Sequence, residues 1–135
     1  MSTRTPSPYI DEDHRQILEL LQVYLDALYD GDVRSLKSVF QPNALLFAEV
    51  RGEIVQKTLD VYLDGVANRE SPASRNDPYG MSILSVEVIG KIAMAKVRVK
   101  VTENNYLNLL SLLKIGREWR IVNKLFTHVV EPVSP

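Results

Sequence analysis

The chain has 135 residues, 45% of them apolar and 24% charged, and a formal net charge of −1. That is enough for one domain with a proper core, and it offers no electrostatic case for nucleic acid. Cysteine is absent, which excludes disulfides, thiol catalysis and thiolate metal sites. No apolar run approaches the roughly 18–20 residues of a membrane span, and MSTRTPSPYI lacks a signal-peptide core. A cytoplasmic protein without membrane or nucleic-acid partners is the expectation.

Residues 1–10 are polar, carry two prolines and are expected to form a mobile arm. Asp11, Glu12 and Asp13 put negative charge where a helix N-terminus favours it. Ile17, Leu21, Tyr24 and Leu28 recur at helical spacing, with Leu18 and Leu25 widening the stripe. This predicts an amphipathic helix of roughly five turns. Asp30-Gly31-Asp32 ends it and caps a second helix carrying Val33, Leu36, Val39 and Phe40, which Pro42 closes. Residues 44–50 read as a short strand, turned at Arg51-Gly52-Glu53 into Ile54-Val55. Thr58 caps a third helix with Leu59, Tyr62, Leu63 and Val66 on one face. Residues 68–80 are one long loop, expected to be a flexible lip.

From residue 81 the pattern is strands. Residues 81–89 and 92–101 pair around Gly90-Lys91, and Val97, Val99 and Val101 alternate with Arg98 and Lys100, leaving one wet face. After a turn at Glu103-Asn104-Asn105 comes the stretch around which the chain is organised, residues 106–128. It reads as two long strands joined at Ile115-Gly116-Arg117-Glu118, where glycine supplies the positive φ of a hairpin loop. In the first strand Leu107, Leu109, Leu110, Leu112 and Leu113 leave almost no polar face. In the second, Trp119, Ile121, Asn123 and Leu125 alternate with Arg120, Val122, Lys124 and Phe126. A strand apolar on both faces needs cover on both. Helices supply one side and a second copy the other, so a homodimer through the outer face of a curved sheet is expected. Leu110 and Leu112 are read as outer-face residues. Residues 131–135 form a tail after the 11–130 domain.

The order helix, helix, strand, helix and four long strands resembles the cone-shaped α+β domains related to nuclear transport factor 2, also called SnoaL-like. Tyr24-Leu25-Asp26-Ala27-Leu28-Tyr29-Asp30-Gly31-Asp32 resembles the end of that family's first helix, and Phe40-Gln41-Pro42-Asn43-Ala44 its entry into the first strand. Residues 110–116 with Trp119-Arg120-Ile121-Val122-Asn123-Lys124 look most like its lumazine-binding branch. The resemblance implies a curved antiparallel sheet packed on three N-terminal helices, with an apolar cavity at the open end of the cone. Members range from ketosteroid isomerase, scytalone dehydratase and polyketide cyclases to non-catalytic binding domains, so the fold leaves the activity open.

Of the isomerase's three catalytic groups, the resemblance carries over one. Tyr24 matches its tyrosine, whereas Ala48 stands at the base aspartate and Ser111 near the protonated aspartate. Glu49 cannot replace that base, because neighbouring strand residues face opposite sides. His14 reads as a surface residue, and His128, at the end of the last strand, as a residue near the mouth. The two histidines are too far apart in sequence to argue for metal. Lys124, flanked by Val122 and Phe126, needs a partner or a ligand if buried; otherwise it snorkels to the edge or pairs with Glu118. The expected ligand-binding set is Tyr24, Tyr62, Ser111, Lys124, Phe126 and His128, around one cavity, with no metal or cofactor.

These residues favour a binding module for a small hydrophobic or aromatic molecule over an enzyme. The alternative is a dehydratase, cyclase or isomerase using Tyr24 with Lys124 or His128. A third possibility is a cavity filled by its own side chains, in a protein whose role is association.

Overall fold

The computed structural model describes residues 8–101 and 103–130; residues 1–7 of the expected arm and the 131–135 tail lie outside them. Helix α1, Pro8–Asp30, buries Ile17, Leu21, Tyr24 and Leu28, the stripe that periodicity marks. Near its start the Asp13 carboxylate accepts from Lys114 Nζ at 2.7 Å and Trp119 Nε1 at 3.2 Å, pinning the helix to the last hairpin. At its end Gly31 takes φ +72°, and a Cβ there would stand 2.9 Å from Ser71 Cβ. Only glycine meets both conditions. Asp32 then caps α2, Val33–Ser38, accepting from the Ser35 amide.

Strand β1, Phe40–Val50, begins earlier than the sequence suggests, and Phe40 belongs to it rather than to α2. Phe40 pairs with Ile121, and regular pairing resumes only at Leu45 with Asn123. Pro42 sits in the irregular stretch between, where its missing N–H costs no ladder bond. Arg51 and Gly52, at φ 52° and 87°, turn the chain into β2, Glu53–Thr58. Thr58 caps α3, Leu59–Ala67, which buries Leu59, Tyr62, Leu63 and Val66. The loop expected to be a flexible lip is tied to α1. Ala73 N donates to Tyr29 O at 3.0 Å, Tyr29 Oη to Asp77 O at 2.5 Å, and Tyr79 Oη to Asp26 Oδ1 at 2.9 Å.

Strands β3 (Met81–Ile89), β4 (Ile92–Val101), β5 (Asn104–Ile115) and β6 (Glu118–His128) complete one sheet in the order β2-β1-β6-β5-β4-β3. The sheet is mixed. β1 and β6 run parallel, and the other neighbours are antiparallel. The core lies between its inner face and the helices, where Ala95, Val97, Leu110, Leu112, Trp119 and Ile121 meet α1 to α3. Among the described residues no helix is long and apolar enough to cross a membrane.

The sheet departs from the expected strand phases in two places. Leu110 and Leu112 are buried against the helices, and Leu107, Leu109 and Leu113 face the other way. A strand apolar on both sides carries no internal mark of which side is in. On β6, Ser111 pairs with Asn123 but Leu112 pairs with Ile121, so Val122 is an extra residue in a β-bulge. The bulge shifts the alternation by one. Trp119 and Ile121 before it, and Lys124 after it, all face the helices.

Candidate functional site

The cone is closed at the Asp13–Trp119 end and open where β4 hands over to β5. At the open end lies a cavity of about 320 Å³. Its apolar wall includes Ala48, Val50, Val55, Val66, Val99 and Phe126. Its polar groups are Lys57, Tyr62, Arg69, Tyr106, Asn108 and Lys124. Among these described residues the lining includes three basic side chains and no carboxylate.

Lys124 is the group the fold treats most unusually. It is 4% exposed, and its Nζ donates to Tyr62 Oη at 2.7 Å. The same nitrogen lies 4.2 Å from the Tyr62 ring centroid, 4.8 Å from that of Phe126 and 5.3 Å from that of Tyr24. It does not pair with Glu118, which binds Arg120 instead. Burial, with Arg69 and then Lys57 adding repulsion, pushes the amine well below the usual lysine range, toward its neutral form. Loss of water around Tyr24 and Tyr62 pushes both phenols up. The Asn108 Nδ2 donates to Tyr24 Oη at 2.8 Å, a second buried polar pair beside that of Lys124 with Tyr62. Asn108 with Tyr24 and Lys124 with Tyr62 thus form two adjacent polar pairs in an apolar core, each satisfying groups that would otherwise be costly to bury.

Of the expected residues, Tyr62, Lys124 and Phe126 line this cavity. Tyr24 is not part of the lining; it bonds Asn108, and its ring centroid lies 5.3 Å from Lys124 Nζ. His128 lies outside the lining, its ring 5.8 Å from Tyr106. Ser111 faces away, opposite Asn123 and Met94 on the outer side of the sheet. The polar residues that β5 brings to the cavity are Tyr106 and Asn108, the latter 1% exposed. The sequence does mark Asn108, since it interrupts Leu107, Leu109 and Leu110 in an otherwise apolar strand. Lys57 and Arg69 carry no such mark.

Ala48 lines the cavity, so the position of the isomerase base holds a methyl group. Glu49 points to the other face, its oxygens accepting from Gly52 N at 2.7 Å and Thr127 Oγ1 at 3.0 Å. His14 is exposed on α1. Chemically, the cavity offers hydrogen-bond donors, the phenols of Tyr62 and Tyr106, and a buried amine whose neutral form is favoured.

A family model described as "Putative lumazine-binding" matches residues 12–127. The chain belongs to this family. Solved structures with the fold of this lumazine-binding-type chain include an NTF2-like protein of unknown function from Silicibacter pomeroyi, 25% identical, with a TM-score of 0.77 over 89% of this chain and 98% of that one. Another, from Shewanella baltica, is 20% identical, with a TM-score of 0.79 over 93% of this chain and 100% of that one. In sequence, the aldolase FrzH of a Cladobotryum species is 21% identical over 114 residues, 84% of this chain and 90% of that protein.

Proposed function

We propose that this member of the lumazine-binding-type family is a small-molecule binding domain. Its ligand combines an apolar or aromatic body with an anionic or strongly accepting group. The observation that carries this is Lys124, buried at the cavity wall with Lys57 and Arg69 beside the same space and no carboxylate lining it. A cavity this basic gains by taking up negative charge, and its valines and Phe126 suit an apolar body. Two copies pair through the outer sheet face, where Leu45, Met94, Leu109, Leu113 and Leu125 are exposed. Benzoate and benzamide, compared by NMR titration, test the ligand class. Benzoate should bind more tightly to the wild type, and Lys57→Met with Arg69→Met should abolish the preference. Equal binding of the two, or none in the cavity, sinks the proposal.

One feature favours an enzyme as the second reading. The phenols of Tyr24 and Tyr62 stand beside an amine, and the Cladobotryum relative is an aldolase. Tyr62 with Lys124 is the pair at the cavity wall, whereas Tyr24 and His128 are not part of the lining. Ala48 leaves an isomerase of the carboxylate-base kind without its base.

A further inference from the structure

We propose that Lys124 forms a Schiff base with an aldehyde or ketone ligand, making the cavity a covalent site for a carbonyl compound that also bears negative charge. The inference rests on the binding proposal above and deepens it.

An amine must satisfy three conditions to capture a carbonyl: a free electron pair, a reachable carbonyl, and a proton donor for the oxygen. Lys124 lines the open cavity, so a ligand's carbonyl can reach Nζ. The rings of Tyr24, Tyr62 and Phe126 lie within 5.3 Å of the amine, and the cavity lining holds no carboxylate to fix its proton. Desolvation and two neighbouring cations favour the uncharged amine. Tyr62 Oη, at 2.7 Å from Nζ, can exchange a proton with both the nitrogen and the carbonyl oxygen.

The step balances without an oxidant or reductant. The Nζ electron pair forms a bond to the carbonyl carbon, and the C=O π pair moves onto oxygen, which takes a proton from Tyr62. The phenolate recovers a proton from the nitrogen. The nitrogen pair then forms C=N as the C–O bond breaks, and the oxygen leaves as water after gaining a second proton from solvent. The iminium that results is a cation, and Lys57 and Arg69 disfavour a further charge unless the ligand brings an anion. That is why the carbonyl and the anionic group belong to one molecule, for which 4-carboxybenzaldehyde is a fitting probe.

The full chain is incubated with 4-carboxybenzaldehyde and cyanoborohydride at neutral pH, then mapped by peptide mass spectrometry. Each unit by which a lysine's pKa falls raises its neutral fraction about tenfold, so Lys124 should be labelled about tenfold or more faster than exposed lysines. Tyr62→Phe should slow labelling at Lys124 and leave other lysines unchanged. Pentane-2,4-dione gives an independent readout on the unmodified protein, a near-ultraviolet enaminone band that Lys124→Met removes. Labelling spread over surface lysines without preference for Lys124 overturns the inference. If benzoate still binds while no adduct forms, the Schiff base falls and the binding proposal stands; if neither occurs, both fall.

Discussion

The Asn108 amide donates to the Tyr24 hydroxyl at 2.8 Å, joining β5 to α1 across 84 residues of chain inside the core. Both side chains are buried, so the bond has no water to replace it. Asn108→Leu should leave the Tyr24 hydroxyl without its donor and cost about 1–3 kcal/mol. Adding Tyr24→Phe should recover part of that loss. Urea denaturation of the two single variants and the double variant measures the coupling, and strictly additive losses would contradict it.

Lys124 should make the protein less stable at neutral pH than Lys124→Met. Its folded pKa lies below its unfolded value, so the unfolded state binds more protons and stability rises with pH between the two. The advantage of Lys124→Met should therefore shrink toward zero as pH approaches about 10.4, by at most about 1.4 kcal/mol per unit. Tyr24, Tyr62, Lys57 and Arg69 face the same amine and remain in both proteins. Parallel denaturation curves from pH 7 to 10, with a constant gap, would be evidence of a charged Lys124.

Asp13 carries the opposite dependence. The hydrogen bond from Lys114 holds its carboxyl below the ordinary aspartate value, with Trp119 adding to this and desolvation opposing it. A depressed carboxyl contributes stability above its unfolded pKa of about 4, lost as pH falls through the folded pKa. Asp13→Asn keeps an acceptor for Trp119 and removes the charge. The variant should be less stable than wild type at pH 6 and equal to it once both carboxyl values are passed, as thermal melts across pH 2–6 can determine.

Leu109 and Leu125 stand directly opposite each other on the outer face, 36% and 47% exposed. Burying such a strip against a second sheet recovers roughly 25 cal/mol per Å². Leu109→Lys with Leu125→Lys should convert a dimer into monomers while leaving the helix-facing core intact. Leu110→Lys should instead unfold the protein, because that residue points inward. Sedimentation of a wild type that is monomeric at tens of micromolar would refute the pairing.

Local sequence specifies most of the elements and their caps, though Phe40 belongs to β1 and not to α2. The α1 stripe, the Asp32 and Thr58 caps and the turns at Gly31, Gly52 and Gly116 depend on local backbone preference and helical period, which neighbours along the chain suffice to specify. It also carried enough pattern to mark the cone and its family. Only the tertiary structure decided which way the β5 leucines face. A strand apolar on both sides has the same period in either phase, and only packing against α1 breaks the tie. The extra residue at Val122 is likewise set by pairing with β5, not by anything in β6 alone. That one-residue shift puts Lys124 inside with Trp119 and Ile121, whereas Ser111 is outside because β5 turns Leu110 and Leu112 inward. Tyr24, Tyr62, Asn108 and Lys124 meet because four elements distant in sequence converge on one buried volume, a relationship that periodicity along a chain does not encode.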